Sequence, residues 1–185
     1  MLLFLMESPE KVMIFIDGSN LYHILKDIYK DSRKLTSFNF EKFAGYLTKG
    51  KKLIRIYYYT APLDRNKDEE TYKKQQQFFE NLRKIPNFEL VLCRMQKDRT
   101  NTGRYMVKED DIHIAVDMVK LAYNEAYDTA ILVSTDGDFV PAIEAVKEKG
   151  KRIENVGFKT KFSWHLKQKS DRFHQLSKKE LDTFF

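Results

Sequence analysis

The stretch Thr129–Val140 restricts the fold more than any other part of the chain. Ala130–Val133 is a short, wholly apolar run, suited to a strand buried on both faces of a sheet. It stops at Ser134 and Thr135. Asp136 and Asp138 follow with Gly137 between them, and Phe139, Ile143 and Val146 then recur at helical spacing. A doubly buried strand that runs straight into a helix belongs to a parallel sheet covered by helices. Its C-terminal end, where two carboxylates stand, is the edge at which open α/β sheets bind ligands.

The same order of elements recurs along the chain. Val12–Ile16 is a continuous apolar run ending in Asp17-Gly-Ser-Asn20; Gly18 permits a tight turn, and Ser19 or Asn20 can cap a helix from Leu21 to about Lys30. After a polar connection over 31–39, Phe40, Phe43, Ala44 and Leu47 mark a helix that Gly50 ends. Leu53–Thr60 is a strand rich in β-formers, closed by Ala61 and Pro62. A long helix is expected over Asn66–Lys84 and a short strand over Phe88–Cys93. Arg94–Lys108 has no apolar periodicity and reads as a basic surface loop. Glu109–Glu125 is the clearest helix, with Ile112, Ala115, Val116, Val119, Ala122 and Tyr123 as its apolar stripe. A helix over Pro141–Lys149 capped by Gly150, a strand over Arg152–Gly157, a short helix over Phe162–Lys169 and a C-terminal helix over Leu176–Phe185 complete the reading. Alternating strands and helices of this kind make βαβ units, hence an α/β fold with helices on both faces of a parallel sheet.

At 185 residues the chain suits one domain, 1–185. Its core is expected over about 12–157, with an N-terminal extension over 1–10 and a helical extension over 158–185. Met1–Met6 is apolar, but too short to span a membrane and without a basic flank before it. Aromatic residues at 14% argue for a packed core rather than disorder. Lys and Arg exceed Asp and Glu by 33 to 27, a modest basic excess that fits a polyanionic partner and also many ordinary proteins. Cys93 stands alone, which excludes an intramolecular disulfide and a cysteine zinc cluster and suits a reducing cytoplasm.

Asp17, Asp136 and Asp138 all follow strands of one sheet and fall on the same edge. Asp111 opens the helix before the central strand. Since a crossover helix runs antiparallel to its strands, the start of that helix lies near the same edge. Four carboxylates can therefore converge. Without a cation their repulsion raises their pKa values and destabilises the fold. Mg²⁺ or Mn²⁺, hard ions that take oxygen ligands, would remove that penalty and promote in-line attack on a phosphodiester. Each feature alone has a plainer explanation. Asp17 can be a helix cap, Asp136 and Asp138 an Asx-turn, and Asp110 and Asp111 complements to a helix dipole. Asp117 lies about 120° round the helix from Asp111 and suits a structural or supporting role.

Other chemistries lack their residues. There is no phosphate-cradling Gly-x-x-x-x-Gly-Lys loop, no Gly-x-Gly-x-x-Gly and no Gly-x-Ser-x-Gly elbow. The four histidines, His23, His113, His165 and His174, have no metal-ligand spacing, and Cys93 sits in a strand. Arg94, Lys97, Arg99, Arg104 and Lys108 lead into the acidic helix start and could hold phosphates; a solvated charged loop explains them equally well. Further on, Phe158, Phe162, Trp164 and Phe173 are interleaved with Lys and Arg, as in proteins that stack single-stranded bases. Packing of the last helices is the better expectation for most of these rings.

Three segments in order, Phe15-Ile-Asp-Gly-Ser-Asn20, Lys108-Glu-Asp-Asp-Ile-His-Ile-Ala-Val-Asp-Met118 and Leu132-Val-Ser-Thr-Asp-Gly-Asp-Phe-Val-Pro-Ala-Ile143, resemble the NYN family, LabA-like branch, of PIN-like nucleases. The likeness extends from about Val12 to about Gly157. It implies a three-layer α/β/α Rossmann-like, PIN-like fold and a metal-dependent nuclease site. Asp17, Asp111 and Asp136 match the core acids, Asp138 an accompanying one, and Asn20 and Ser134 polar residues that line the site. The family usually has Lys-Gly-x-Asp before the helix; here Glu109 replaces the glycine.

The expected activity is therefore a cytoplasmic Mg²⁺- or Mn²⁺-dependent endoribonuclease. Asp17, Asp111, Asp136 and Asp138 would bind the metal, Asn20 and Ser134 would orient ligands or substrate, and the basic loop would hold single-stranded RNA. Water activated by the metal would attack phosphorus, leaving a 5′-phosphate and a 3′-hydroxyl. The alternatives are a non-catalytic module that binds RNA or protein, a DNA nuclease, and a phosphatase for small substrates. No membrane partner is expected; a homodimer is an open alternative to a monomer.

Overall fold

The computed structural model describes residues 8–30, 32–97, 105–107 and 109–185. Its strands are β1 (Lys11–Asp17), β2 (Lys52–Thr60), β3 (Phe88–Leu92), β4 (Met95–Lys97), β5 (Tyr105–Val107), β6 (Thr129–Val133), β7 (Arg152–Phe158) and β8 (Arg172–Leu176). The helices are α1 (Gly18–Tyr29), α2 (Phe40–Thr48), α3 (Glu69–Arg83), α4 (Asp110–Tyr123), α5 (Val140–Glu148), α6 (Trp164–Lys169) and α7 (Lys178–Asp182). Six strands form one sheet in the order β3-β2-β1-β6-β7-β8, and every neighbouring pair in it is parallel. β4 and β5 make a separate antiparallel ribbon. This is the three-layer α/β/α arrangement expected from the sequence.

The two-residue period of the strands sorts the core into two layers. Val12, Ile14 and Ile16 of β1, with Ile131 and Val133 of β6, pack with residues of α1, α2, α3 and α7. Met13, Phe15, Ala130 and Leu132 face the other way, onto Ile114 and Met118 of α4, Ile143 and Val146 of α5 and Leu166 of α6. Asp17 continues the parity of Met13 and Phe15, so the end of β1 delivers its carboxylate to the α4 side.

Several elements depart from the sequence reading. Asp17 itself, rather than Ser19 or Asn20, caps α1, which begins at Gly18. Asp68 caps α3, so that helix starts at Glu69 and not Asn66. The expected surface loop Arg94–Lys108 contains the β4–β5 ribbon. The C-terminal part is not helical throughout, because β8 joins the sheet beside β7 and the last helix is confined to Lys178–Asp182. On α4 the buried face is Ile114, Met118 and Ala122, while Ile112, Val116 and Tyr123 are 65%, 55% and 57% exposed. Of the expected stripe, Ala122 is buried and Ala115 and Val119 pack against the core, so periodicity placed the stripe partly off the buried face. N-terminal residues 1–7 lie outside the described residues.

Two local constraints fix the frame. A Cβ on Gly18 would stand 2.5 Å from both Cζ of Tyr58 and the carbonyl oxygen of Tyr59, so only glycine lets α1 leave β1 against β2. Further along the sheet, Glu154 of β7 is buried and accepts a hydrogen bond from Lys51 (2.7 Å), with His174 Nε2 at 2.6 Å. Burial alone would raise its pKa, but these partners reverse the effect and hold the carboxyl down at about 2.

Gly18→Ala should cost about 1–3 kcal/mol, read as a lower midpoint in thermal unfolding. Glu154 has a folded pKa below its unfolded value, so its stabilisation is present above about pH 4.5 and is lost as pH falls towards about 2. Glu154→Gln should lower stability at pH 7 by roughly 3 kcal/mol and flatten that acid limb in a pH series of denaturant titrations.

Candidate active site

From β1 the chain runs to β2 and β3 on one side, while β6, β7 and β8 fill the other. The strand order therefore reverses between β1 and β6, the point at whose C-terminal side open α/β sheets form their ligand crevice. Asp17 lies at that edge, 4% exposed. One carboxylate oxygen accepts from the backbone N–H of Asn20 (2.9 Å) and the other from the hydroxyl of Ser134 (3.1 Å). The same Ser134 oxygen accepts from the N–H of Asp136 (3.1 Å). Asn20 reaches across with its side-chain oxygen to the N–H and hydroxyl of Thr135, both at 3.2 Å. Asp136 accepts from the N–H of Asp138 (3.0 Å), closing an Asx-turn over the 3-10 turn Gly137–Phe139. Asn20 and Ser134 are thus the stitches between the β1 and β6 loops.

A further residue supports the stitch. Asn155 of β7 is fully buried and donates from Nδ2 to the carbonyls of Leu132 (3.1 Å) and Ser134 (3.0 Å). Its Oδ1 is buried without a hydrogen-bond partner among the described residues. Sequence reading had no handle on this residue, since an Asn inside a strand carries no local signature.

α4 brings the remaining acids. Asp110 is 6% exposed, whereas Asp111 is exposed. The Asp17 carboxyl is pushed up to about 7 by burial and by the charges of Asp110 and Asp111, against the lowering effect of its Asn20 and Ser134 hydrogen bonds. That of Asp111 is pushed up to about 6 by partial loss of hydration and by Asp110, Asp136 and Asp138. Acids from residue 17, residues 110–111 and residues 136–138 therefore feel one another's charge. Asp110, which the sequence left as a complement to the helix dipole, is the buried member and acts on Asp17 ahead of Asp111. Asp138 is exposed at the mouth. Asp117 is tied elsewhere, accepting from the hydroxyl of Tyr59 (3.0 Å).

Among the described residues no group of three or more His, Cys, Asp or Glu side chains is arranged as a ready metal-binding set. The donor chemistry nevertheless fits a hard divalent cation. The groups are carboxylate oxygens, and two of them carry raised pKa values that a nearby cation would reverse in sign.

Glu109, at the N-cap of α4, has φ 83°. A left-handed backbone suits glycine, which accounts for the glycine usual at this place in the resembling family.

Of the five basic residues expected to hold substrate, Arg94 is exposed just past β3, at the C-terminal edge of the sheet, and Lys97 lies on β4. Arg99, Arg104 and Lys108 lie outside the described residues. Cys93 is buried, and burial with the charges of Asp110 and Glu109 pushes its thiol up to about 12, so it stays protonated. His23, His113 and His165 are exposed, and His174 is spent on Glu154.

The NYN domain family model matches residues 11–177, and the chain belongs to that family. The match runs past Gly157, where the sequence resemblance stopped, and takes in β8. Within the family the likeness is to the LabA-like branch. The Low amplitude and bright protein LabA of Synechococcus elongatus is 28% identical over 175 residues, 91% of this chain and 85% of LabA. An uncharacterized protein of Methanocaldococcus jannaschii, MJ0482, is 39% identical over 61 residues, 33% of this chain and 25% of that protein's own length. In structure, the chain is similar to VPA0982 of Vibrio parahaemolyticus, a protein of unknown function, with a TM-score of 0.72 and 24% identity over 93% of this chain and 96% of that one. Membership of the NYN/PIN-like nuclease superfamily follows from the family match. Among the described residues no helix is long and apolar enough to cross a membrane.

Glu109→Gly should raise thermal stability by about 1 kcal/mol through relief of the left-handed backbone. Asp17 has a folded pKa above its unfolded value, so its ionisation opposes folding. In metal-free buffer stability should fall as pH rises from about 4 to about 7, and Asp17→Asn should flatten that fall in a pH series of melting curves.

Proposed function

We propose that the protein is a Mg²⁺- or Mn²⁺-dependent endoribonuclease acting on single-stranded RNA. The observation that carries this reading is the gathering of acids distant in sequence at the switch point of the sheet: buried Asp17 shares Ser134 with the Asp136 loop, and the charges of Asp110 and Asp111 at the start of α4 help to raise its carboxyl. A protein without a cationic ligand for such a cluster gains stability by losing it.

Asp17, Asp111 and Asp136 would hold the ion, with Asp138 assisting directly or through water. When bound, the ion supplies Lewis-acid activation of water and neutralises charge that develops on the phosphodiester. The chain's own residues do the positioning. Ser134 and Asn20 fix the rotamer of Asp17 and the course of the Asp136 loop, and Asn155 anchors Ser134 from behind. Asp110 adds buried negative charge that strengthens the attraction for a cation. Arg94 offers a phosphate contact at the same edge, and Lys97, Arg99, Arg104 and Lys108 would extend it along the substrate. The products would carry a 5′-phosphate and a 3′-hydroxyl. The lone buried thiol suits the reducing cytoplasm in which RNA is met.

Digestion of single-stranded RNA with Mn²⁺ should proceed with wild type and fall by about 100-fold or more in Asp136→Asn and Asp111→Asn. Saturating Mn²⁺ should raise the melting temperature of wild type by about 5–10 °C and that of Asp136→Asn by much less. Equal cleavage by wild type and both variants would refute the assignment. Absence of any metal-induced shift would favour a binding module on the same fold, and faster cleavage of single-stranded DNA would favour a DNA nuclease.

A further inference from the structure

The C-terminal edge of the sheet carries a second feature beside the acids. Ile16 pairs with Val133, and Val133 with Val156, so Asp17, Ser134 and Gly157 stand in one row across β1, β6 and β7. Gly157 is two strand spacings from Asp17, about 10 Å. A Cβ on Gly157 would come within 2.7 Å of Cβ of Phe162 and 2.8 Å of the Phe173 ring. The glycine is therefore what lets these two rings lie down on the strand backbone. They meet each other with centroids 5.6 Å apart.

Trp164 completes a trio. The ammonium of Lys167 lies over all three rings, 5.7 Å from Phe162, 5.4 Å from Trp164 and 5.4 Å from Phe173. Phe158, the fourth aromatic of this segment, is buried in the core. Phe162 and Trp164 are not core residues: they are 37% and 57% exposed. The neighbouring cations Lys147 and Lys169 are engaged with Asp171 and Glu144, whereas Lys161 and Lys167 make no ion pair among the described residues. The patch also touches the acidic loop. α6 packs on the turn Gly137–Phe139, and the Cβ position of Gly137 lies 3.4 Å from Ser163 Oγ and 3.9 Å from His165 Nδ1.

Exposed flat rings with uncompensated positive charge suit a ligand with π faces and a negative backbone. A protein partner of the apolar kind would leave those cations buried without a counter-ion. We propose that Phe162, Trp164, Lys167 and Phe173 form a base-stacking platform, on which nucleotides flanking the scissile phosphate of a single strand rest while the strand crosses from β7 to the acids at β1 and β6. The platform deepens the nuclease reading and rests on it for the direction of the strand, but its binding is measurable without metal.

Trp164 is the sole tryptophan of the chain, so its fluorescence reports the platform directly. The test is titration with oligoadenylate of about 12 nucleotides, as ribo- and deoxyribo-forms, in excess chelator. Saturable quenching is expected with wild type. By fluorescence anisotropy of a labelled strand, Trp164→Ala should bind about tenfold more weakly or worse, and Trp164→Phe should bind close to wild type. Lys167→Ala should reduce the slope of log affinity against log salt by about one. Because Trp164 is exposed, unchanged melting of Trp164→Ala checks that the fold is kept. Unchanged affinity in Trp164→Ala overturns the platform and leaves the patch as a protein contact. Mn²⁺-dependent cleavage by wild type alongside that result would leave the nuclease reading standing. Trp164-dependent binding without any cleavage would keep the platform and remove the nuclease.

Discussion

A buried carboxylate held against other carboxylates is the constraint on which this molecule turns. Asp17 has almost no contact with solvent, and its two oxygens are each given one neutral donor. Those two bonds do not offset burial and the charges of Asp110 and Asp111. A strand end of this kind is unfavourable in isolation and persists because the surrounding sheet over-determines it. Gly18, pressed on the backbone of Tyr59, leaves α1 one exit from β1. Asn155, whose Oδ1 has no hydrogen-bond partner among the described residues, pins Ser134 from the neighbouring strand. Close backbone packing and an acceptor without a partner among the described residues are thus concentrated around one acid.

The strands that converge on this point were legible because each is an apolar run closed by an acid and a turn. Val12–Ile16 and Ala130–Val133 are buried on both faces, and such runs have few other uses. The acids Asp17, Asp136 and Asp138 could be placed on one edge by topology alone. What stayed hidden depended on partners far off in the chain. β8, which falls in the stretch expected to be a helical extension, is an edge strand whose buried His174 answers Glu154 on β7, and neither residue hints at the other. The helix α4 offered two apolar faces, Ile112–Val116–Tyr123 and Ile114–Met118–Ala122, and only packing against the sheet could choose between them. Asp110 was passed over for the same reason: one position of rotation decides which of two adjacent acids is buried.

The aromatic residues near the C-terminus show how the same composition divides into two uses. Phe158 has its side chain in the core. Phe162 and Trp164, a few residues later, stay in solvent around a lysine. The division follows from Gly157, whose missing Cβ lets rings cover the end of β7. Acidic crevice and aromatic patch thus share one sheet edge, with the Gly137 turn as their common wall.

The pairing of β1 with β6 also has a kinetic meaning. Val12 finds Thr129 across more than a hundred residues of intervening chain, whereas β1, β2 and β3 can pair earlier. During synthesis the first three strands can assemble while the inner flank of β1 stands open, since parallel contacts of such sequence separation form late. Asp17 and the Asp136 loop are joined through Ser134 only when that flank is closed. A partly made chain on the ribosome therefore holds half of the acidic crevice, and whatever chemistry the finished crevice performs is withheld until the second half of the sheet has emerged.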